Sequence, residues 1–311
     1  MRRFVSCAVL SCAALSITHE AGAAISLNGY VPQYDASVYT GASFDVGCND
    51  VTSGGTAQAA SCSSGFGLGA GGSSGAASAH QATLHASTEV DVWAPNSNLA
   101  TFGASSTAVA HLNDYLYFTG PANTQVRVNT SIIAQGSIFA DATGWASNPS
   151  IASSSFAVMG GVFGQNFGQS GRITSSADGT LTVTGSQNGA TLPVSFLLNF
   201  DSQGNSQIGS LQMTVSLQSD GTARGHGFVG GLYLQGTAYT TAGFGNTVYW
   251  GGITSATDTM GNAIDLSQLH AFSASGFDYM TSAVPEAGTV PMLLSGLTVL
   301  FLAVRRRKPI N

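Results

Sequence analysis

The chain has 311 residues and an acidic balance, with 9 Lys and Arg against 15 Asp and Glu. Residues 24–285 hold three arginines, no lysine and thirteen acidic residues, which gives this interval a net charge of −10. Because phosphate binding requires clustered Lys or Arg, this charge excludes nucleic acid as a partner of the domain and leaves divalent cations or neutral glycans.

The N-terminus has the three parts of a secretory signal peptide. Two arginines precede an apolar run at residues 4–17, and small residues at the cleavage positions end at Ala23. We therefore predict a signal peptide over residues 1–23, a mature start at Ala24, and the Sec translocon and signal peptidase as partners during export. The alternative is a retained transmembrane helix, but such a helix needs about 20 apolar residues and this run is shorter.

The cysteines divide between the signal peptide and the mature chain. Cys7 and Cys12 leave with the signal peptide, whereas Cys48 and Cys62 remain. An even count in an exported protein predicts a Cys48–Cys62 disulfide, which would stabilise the fold by about 3 kcal/mol in the chain-entropy model. The alternative is a pair of free or metal-bound thiols, although no His or Cys stands nearby at ligand spacing.

A stretch of low complexity follows the second cysteine of this pair. Residues 63–79 are mostly Gly, Ser and Ala, with Phe66 and Leu68 as the larger side chains. Such a stretch buries little apolar surface to offset the entropy of ordering, so we expect a mobile loop. The alternative is a domain boundary, which would make Ala24–Cys62 a small N-terminal strand unit. With the loop interpretation, residues 24–283 form one β-rich extracellular domain.

Most of the remaining chain has the pattern of β-strands. Short apolar or alternating runs rich in β-forming residues are separated by Gly, Asn, Asp and Ser, and this spacing predicts an all-β domain, an antiparallel β-sandwich or jelly-roll-like fold. Regular Phe, Tyr, Val and Ile clusters also distinguish the chain from a disordered one. The predicted strands are Leu84–Trp93, Val109–Phe118, Gln125–Ile133, Thr180–Thr184, Val194–Phe200, Leu211–Leu217, Phe228–Leu234 and Thr247–Trp250.

Three local patterns predict breaks between strands. Asp178-Gly179 and Asp220-Gly221 are signals for tight hairpin turns, because glycine tolerates positive φ. Asp201–Asn205 faintly resembles an oxygen-rich ion loop, but a solvated turn explains it better. The one helix candidate is Ile264–Ala271, with Asp265 as a possible N-cap.

The search for catalytic chemistry finds no nucleotide-binding, zinc-protease, calcium-loop or nucleophile-elbow motif, so we predict no catalytic residue, no metal and no cofactor. His80, His85, His111 and Glu89 are the titratable residues that could converge, and His85 and Glu89 share a strand face. Exposed strand histidines are the simpler explanation. Glu89 and Asp91 also share a face, which permits a paired-carboxylate glycosidase in principle.

Aromatic side chains could bind sugar by stacking if they are exposed, but most aromatics of β-sandwiches belong to the core. The sequence does not separate the two groups. The candidates are Trp93, Trp145, Trp250, Tyr115, Tyr117, Tyr233 and Tyr249.

The C-terminal tail, residues 284–311, has three consecutive parts. Val284, Pro285 and Glu286 precede an apolar segment at residues 289–304, which we predict to be a transmembrane sorting helix. A basic cluster follows, and by the positive-inside rule it stays in the cytoplasm, with the domain across the inner membrane. This stop-transfer cluster consists of Arg305, Arg306, Arg307 and Lys308.

Together these three parts resemble the PEP-CTERM sorting signal of Gram-negative bacteria, over the last 28 residues only. The resemblance implies that an exosortase recognises and cuts the tail, and that the protein passes from an inner-membrane intermediate to the cell surface or medium. Ala287 departs from the pattern, because the family usually has a second proline there. The alternative is a plain single-pass anchor, in which Pro285 merely starts the helix.

Two classes of function remain open. The first is a non-enzymatic surface or matrix protein associated with exopolysaccharide or biofilm, because carriers of the signal that the tail resembles are often encoded beside exopolysaccharide loci. The second is an extracellular carbohydrate-active hydrolase or glycan-binding module. A groove lined by carboxylates would favour the enzyme, and a flat aromatic strip would favour binding, whereas the fold alone would not decide.

Overall fold

A computed structural model of the protein describes residues 27–43, 47–65, 71–94, 101–144, 149–224, 226–229, 232–234 and 236–283. The predicted signal peptide and the sorting tail from residue 284 onward lie outside the described residues. In the part of the chain that the structure describes, no helix is long and apolar enough to cross a membrane.

The described residues are almost entirely strands, as the sequence predicts. One short 3₁₀ helix interrupts them at Leu266–Gln268. In chain order the strands are β1 (Gln33–Ala42), β2 (Cys48–Gly54), β3 (Gln58–Gly65), β4 (Gly71–His80), β5 (Thr83–Trp93), β6 (Thr101–Thr119), β7 (Gln125–Ala134), β8 (Ser137–Thr143), β9 (Ile151–Val162), β10 (Gln165–Ser176), β11 (Leu181–Gly185), β12 (Thr191–Asn199), β13 (Gly209–Arg224), β14 (His226–Val229), β15 (Leu232–Leu234), β16 (Thr237–Asp258) and β17 (His270–Ser273).

The strands form two large antiparallel sheets packed face to face, so the predicted antiparallel sandwich is confirmed. Sheet A has the order β11-β10-β9-β13-β6-β1-β2, with β17 paired to the end of β6. Sheet B has the order β12-β7-β16-β5-β4-β3, with β8 paired to the first half of β16. β14 and β15 form a separate hairpin.

The core lies between the two sheets and follows from strict alternation along the strands. In β13, Leu211, Met213, Val215 and Leu217 are fully buried, whereas the residues between them face outward. Successive strand residues point to opposite faces, so one apolar set fills the core and one polar set meets solvent. This alternation gives the molecule two outward sheet faces with independent composition.

One predicted turn is confirmed and the other is wrong. Asp178 and Gly179 connect β10 to β11, with Gly179 at φ +89° and the Asp178 carboxylate accepting the Thr180 N–H at 2.8 Å. Asp220-Gly221 instead continues β13, in register with β6. Glycine at this position lets the two sheets pack closely, because a Cβ on Gly221 would lie 2.8 Å from Cγ1 of Val90 in the opposite sheet.

The described part of the stretch at residues 63–79 does not form the mobile loop that the composition predicts. This part belongs to β3 and β4, which extend sheet B beyond β5, and residues 66–70 lie outside the described residues. Small side chains let the sheets approach closely, since a Cβ on Gly75 would lie 2.8 Å from Val38 and Ser106 of sheet A. Hydrogen bonds to the neighbouring strands and this close packing offset the entropy lost on ordering the segment. The expectation of a mobile loop counted only the burial of apolar side chains.

The predicted helix at Ile264–Ala271 is also corrected. Only the single 3₁₀ turn forms, and Asp265 caps it by accepting the Ser267 N–H at 2.9 Å. The chain then becomes extended at His270, where β17 joins the edge of β6. Pairing with sheet A therefore outweighs a weak local helix preference.

Candidate functional site

Three large aromatic side chains are exposed together on the outward face of sheet B. Trp93 on β5, Tyr239 on β16 and Phe139 on β8 are 36%, 37% and 48% exposed. The three strands are hydrogen-bonded neighbours, with β16 in the middle. We call this set the aromatic strip.

The strand register places the aromatic strip on a diagonal across the sheet. Trp93 lies opposite Thr237, two residues before Tyr239. Phe139 lies opposite Thr241, two residues after Tyr239. Each step crosses one strand and two residues, so the strip spans roughly 16 Å between its outer Cα atoms, the scale of a short oligosaccharide. The rings of Phe139 and Tyr239 are 6.1 Å apart and inclined at 56°.

Carboxylates flank this diagonal. Asp91 and Asp141 lie directly opposite Tyr239 on its two sides, and Glu89 lies opposite Thr241. Partial burial raises the pKa of the Tyr239 phenol, and the charge of Glu89, its hydrogen bond with the phenol and the charge of Asp91 raise it further. The strip therefore combines apolar rings with carboxylate groups that can accept hydrogen bonds.

Beside Trp93, the outward face of sheet B becomes flat. Across from Glu89 and Asp91, β4 presents Ser74 and Gly72. An open depression of 350 Å³ forms there, lined by Glu89, Asp91, Trp93 and the small residues of β4. Because Trp93 lines this open depression and the β4 residues beside it are small, an extended ligand could lie along the surface without entering a cleft.

A disulfide closes the sandwich beyond this flat region. Cys48 lies on β2, the last strand of sheet A, and Cys62 on β3, the last strand of sheet B. The two residues are bonded with a Cα–Cα distance of 5.7 Å. Next to the disulfide, the Asp50 carboxylate accepts the Ser61 N–H at 2.9 Å. These contacts link the two sheets at one lateral side of the domain.

The histidines that the sequence singles out do not all converge, because His80 and His85 line one surface depression of sheet B and His111 lies on sheet A. His85 and Glu89 share the outward face of β5, and His80 is exposed at the end of β4. His111 belongs to sheet A, where its Nδ1 lies 2.9 Å from the Thr214 hydroxyl. Within the described ranges, no group of three or more His, Cys, Asp or Glu side chains is placed to hold a metal ion.

The candidate aromatics separate into core and surface. Trp250, Tyr117 and Tyr249 are buried, and half-buried Tyr115 packs on Tyr30 with ring centroids 4.9 Å apart. Trp145 and the Tyr233 side chain lie outside what the structure describes. Of the seven candidates, Trp93 thus contributes to the strip.

Sequence reasoning missed Phe139 and Tyr239. In β8, Ile138, Ala140 and Ala142 are buried and Phe139 lies between them on the outward side. An aromatic out of phase with the apolar residues of a strand is the signal that could have found it.

Asp201 and Asp258 act as turn caps. The Asp201 carboxylate accepts the N–H groups of Gln203 and Asn205 at 2.8 and 2.9 Å, which confirms the solvated turn. These bonds, chiefly the one from Asn205, lower the pKa of Asp201. Asp258 makes the same arrangement with Met260 and Asn262. Part of the acidic charge therefore serves turn formation and not ligand binding.

A buried carboxylate holds the segment just before the sorting tail. Asp114 on β6 is fully buried and accepts hydrogen bonds from the Tyr279 hydroxyl at 2.8 Å and from the Ser275 hydroxyl at 2.5 Å. Burial and the Asp114 charge raise the pKa of Tyr279 well above its usual value. Trp250 donates its Nε1–H to the Tyr279 carbonyl, and its own carbonyl accepts the Ala283 N–H. The chain is thus fixed to the sandwich up to its last described residue.

Comparison with known families identifies the tail. Residues 283–308 match the PEP-CTERM protein-sorting motif, which agrees with the resemblance found in the sequence. The motif implies an exported protein that is sorted by an exosortase. No curated protein and no solved structure matches the chain.

Proposed function

We propose that the protein is a non-enzymatic surface or matrix protein whose aromatic strip binds neutral glycan, and that it associates with exopolysaccharide after exosortase sorting. The observation that carries this proposal is the diagonal of Trp93, Tyr239 and Phe139 on an open sheet face with carboxylates beside it. Exposed aromatics grouped on one face are typical of interaction surfaces.

The chemistry of the strip fits a sugar chain without anionic groups. Aromatic rings offer flat apolar surfaces to the C–H faces of sugar rings, and a polar edge remains where Tyr239 carries its hydroxyl. Glu89, Asp91 and Asp141 can accept hydrogen bonds from sugar hydroxyl groups. The same carboxylates repel an anionic polymer, because no Lys or Arg occurs on β5, β8 or β16 to offset their charge.

The shape of the face supports binding over hydrolysis. Glycosidases place two carboxyl groups on either side of the scissile bond. Glu89 and Asp91 instead lie two residues apart on one strand and point from the same open face, so they do not face each other across a groove. The rival, a hydrolase that uses this pair, makes a distinct prediction: incubation with the host polysaccharide should release new reducing ends, and Glu89→Gln should stop that release.

The sorting step gives the proposed route to the surface. We propose that the Sec translocon and signal peptidase produce an inner-membrane intermediate, held by residues 289–304 and the basic cluster, which the exosortase then cuts near Pro285 and Glu286. In a host with an active exosortase, the mature protein should lack the basic cluster by mass spectrometry. Pro285→Ala and Glu286→Ala should remain full-length and in the membrane fraction. Wild-type protein that keeps Arg305 would instead identify a plain anchor.

The glycan proposal is tested by retention on the host's own exopolysaccharide. Protein exported by the host should be retarded in affinity electrophoresis when the gel contains this polymer. Trp93→Ala and Tyr239→Ala should migrate without retardation. Tyr39→Ala is the matched control, because Tyr39 is 52% exposed on the outward face of sheet A. Equal retardation of wild type and all three variants would overturn the proposal.

A further inference from the structure

The free edges of the two sheets are protected unequally. β2 and β3 are joined to each other by the Cys48–Cys62 disulfide. β12 carries Pro193, which has no N–H to offer another strand. The first part of β8 is covered by residues 187–189, through the bonds of Ile138 N–H to Gln187 and Gly189 N–H to Gly136. Devices of these kinds prevent an edge strand from pairing with another chain.

β11 is an edge of sheet A that has no such protection among the described residues. All of its five residues are exposed. Its sequence, Leu-Thr-Val-Thr-Gly, contains no proline and no charge, and its alternating Thr and Val strongly favour extended structure. β11 pairs with β10 on one side only.

The register shows which backbone groups of β11 point away from β10. Ser176 donates to the Thr180 carbonyl, and Ser186 donates to the Ser170 carbonyl. Hydrogen-bonded pairs alternate along an antiparallel ladder, so Thr182 and Thr184 bond to β10. The N–H and C=O groups of Leu181, Val183 and Gly185 are consequently directed outward, at the free edge.

The side chains of β11 add an apolar surface to these polar groups. Val183 lies opposite Ile173, which is 7% exposed and belongs to the core. Leu181 and Val183 therefore point to the inner side of sheet A, yet they are 61% and 44% exposed. Among the described residues, no strand of sheet B covers them, so apolar surface is exposed at this edge.

We propose that β11 pairs antiparallel with β11 of a second copy of this chain, with a twofold axis at Val183. The strand is complementary to itself, because in this arrangement Val183 faces Val183 of the second copy and Leu181 faces Gly185. Both copies place their Leu and Val side chains on the same face of the joined sheet. The acidic domains can approach there, since residues 179–200 contain no charged side chain.

The size of the contact sets its strength. Two five-residue strands bury less surface than the 1,200 Å² or more of a stable interface. The pairing is therefore reversible and concentration-dependent, and it becomes significant where many copies are held together at one surface. This proposal does not depend on glycan binding, because β11 and the aromatic strip belong to different sheets.

Cysteine trapping tests the register directly. The variants are Val183→Cys and Leu181→Cys, introduced separately into the chain as the host exports it and followed by non-reducing electrophoresis under mild oxidation. Val183 should form an interchain disulfide, because opposed Cα atoms in a hydrogen-bonded antiparallel pair are about 5.5 Å apart. Leu181 is the matched control on the same strand face. Its copies would be offset by four residues, roughly 13 Å, beyond the reach of a disulfide.

A second variant tests the hydrogen bonds without adding a thiol. Val183→Pro removes an N–H that points away from β10, so the variant should keep the melting temperature of the wild type. In sedimentation velocity the wild-type mass should rise from one copy to two with concentration, and the proline variant should stay at one. Equal crosslinking of both cysteine variants, no crosslinking of Val183→Cys, or dimerisation of the proline variant would each overturn the proposal.

Discussion

The outward faces of the two sheets differ although the same alternation produces both. On sheet A, the long strand β13 presents Gln212, Thr214, Ser216 and Gln218 to solvent. On sheet B, β5 presents Glu89, Asp91 and Trp93 in the corresponding outward positions. The inner faces of both sheets are similarly apolar.

The difference shows which surface residues the fold requires. β13 demonstrates that small polar side chains suffice on the outward side of a strand of this sandwich. Sheet A also exposes large apolar side chains, among them Tyr39 and Met159, so the aromatic strip is distinguished by three rings on neighbouring strands with carboxylates beside them. These rings remain exposed at a cost in solvation. We propose that binding, which their chemistry fits, accounts for the exposure of these rings.

The largest expected effect is on stability, and it tests whether glycan binding by sheet B persists when the fold is weakened. Replacing both cysteines, Cys48→Ala with Cys62→Ala, should lower the free energy of unfolding by about 3 kcal/mol, because the unfolded chain loses a cross-link that closes a short loop. Urea denaturation measures this change. Glycan affinity should persist, since β5 and β16 are interior strands of sheet B. An affinity that fell in proportion to stability would show that the strip depends on the disulfide.

The next largest effect is on glycan binding, because removing one ring of the aromatic strip should make sheet B bind as weakly as sheet A. Trp93→Ala should weaken glycan binding by about 2 kcal/mol, or roughly 30-fold, which is typical when an aromatic side chain that contributes strongly to binding is truncated. Isothermal titration with oligosaccharides cut from the host polymer measures this loss. Tyr39→Ala removes a more exposed aromatic from sheet A and should leave the affinity unchanged. Similar losses in both variants would remove the reason for assigning binding to sheet B.

A smaller effect concerns the carboxylates of the strip. Glu89→Gln should lower the pKa of Tyr239 toward that of free tyrosine without reaching it, because burial, the largest cause of the raised value, remains. Since the folded state favours the neutral phenol, its contribution to stability is complete below the unfolded pKa of about 10 and is lost as pH rises through the folded pKa. Ultraviolet titration of phenolate absorbance measures the shift. An unchanged Tyr239 titration would show that Glu89 does not contact the phenol in solution.

The smallest effect separates binding from stability. Trp93→Ala and Tyr39→Ala should each change the free energy of unfolding by no more than about 0.5 kcal/mol, as expected for exposed positions outside the core. Thermal or urea denaturation of the two variants provides the comparison. A clearly larger loss for Trp93→Ala would mean that the aromatic strip supports the fold, and that weaker glycan binding could follow from unfolding.

The sequence predicts the parts of this molecule that depend on local patterns. Alternating apolar residues locate β5, β7 and β12 with small errors at their ends. The Asp178-Gly179 turn follows from the positive φ that glycine allows. These features are encoded within a few residues of themselves, so a single sequence contains enough information to find them.

Features that depend on a partner strand were not predictable in the same way. β3 and β4 are built from Gly, Ser and Ala, and their order depends on the ladder to β5 and on close contact with β1. The aromatic strip depends on register, which places Phe139 and Tyr239, about 100 residues apart in sequence, side by side. Trp93 could be named as a candidate from the sequence, but its exposure and its neighbours could not.

Hydroxyl-radical footprinting of the exported protein, with and without a neutral polysaccharide purified from the host, tests the central claim most directly. The method reports side-chain exposure at each aromatic residue in a single experiment. We predict that the polysaccharide protects Trp93, Tyr239 and Phe139 from oxidation, while Tyr39 on sheet A reacts as before. Protection of Tyr39 together with the strip, or no protection of the strip at a polysaccharide concentration that retards the protein in electrophoresis, would contradict it.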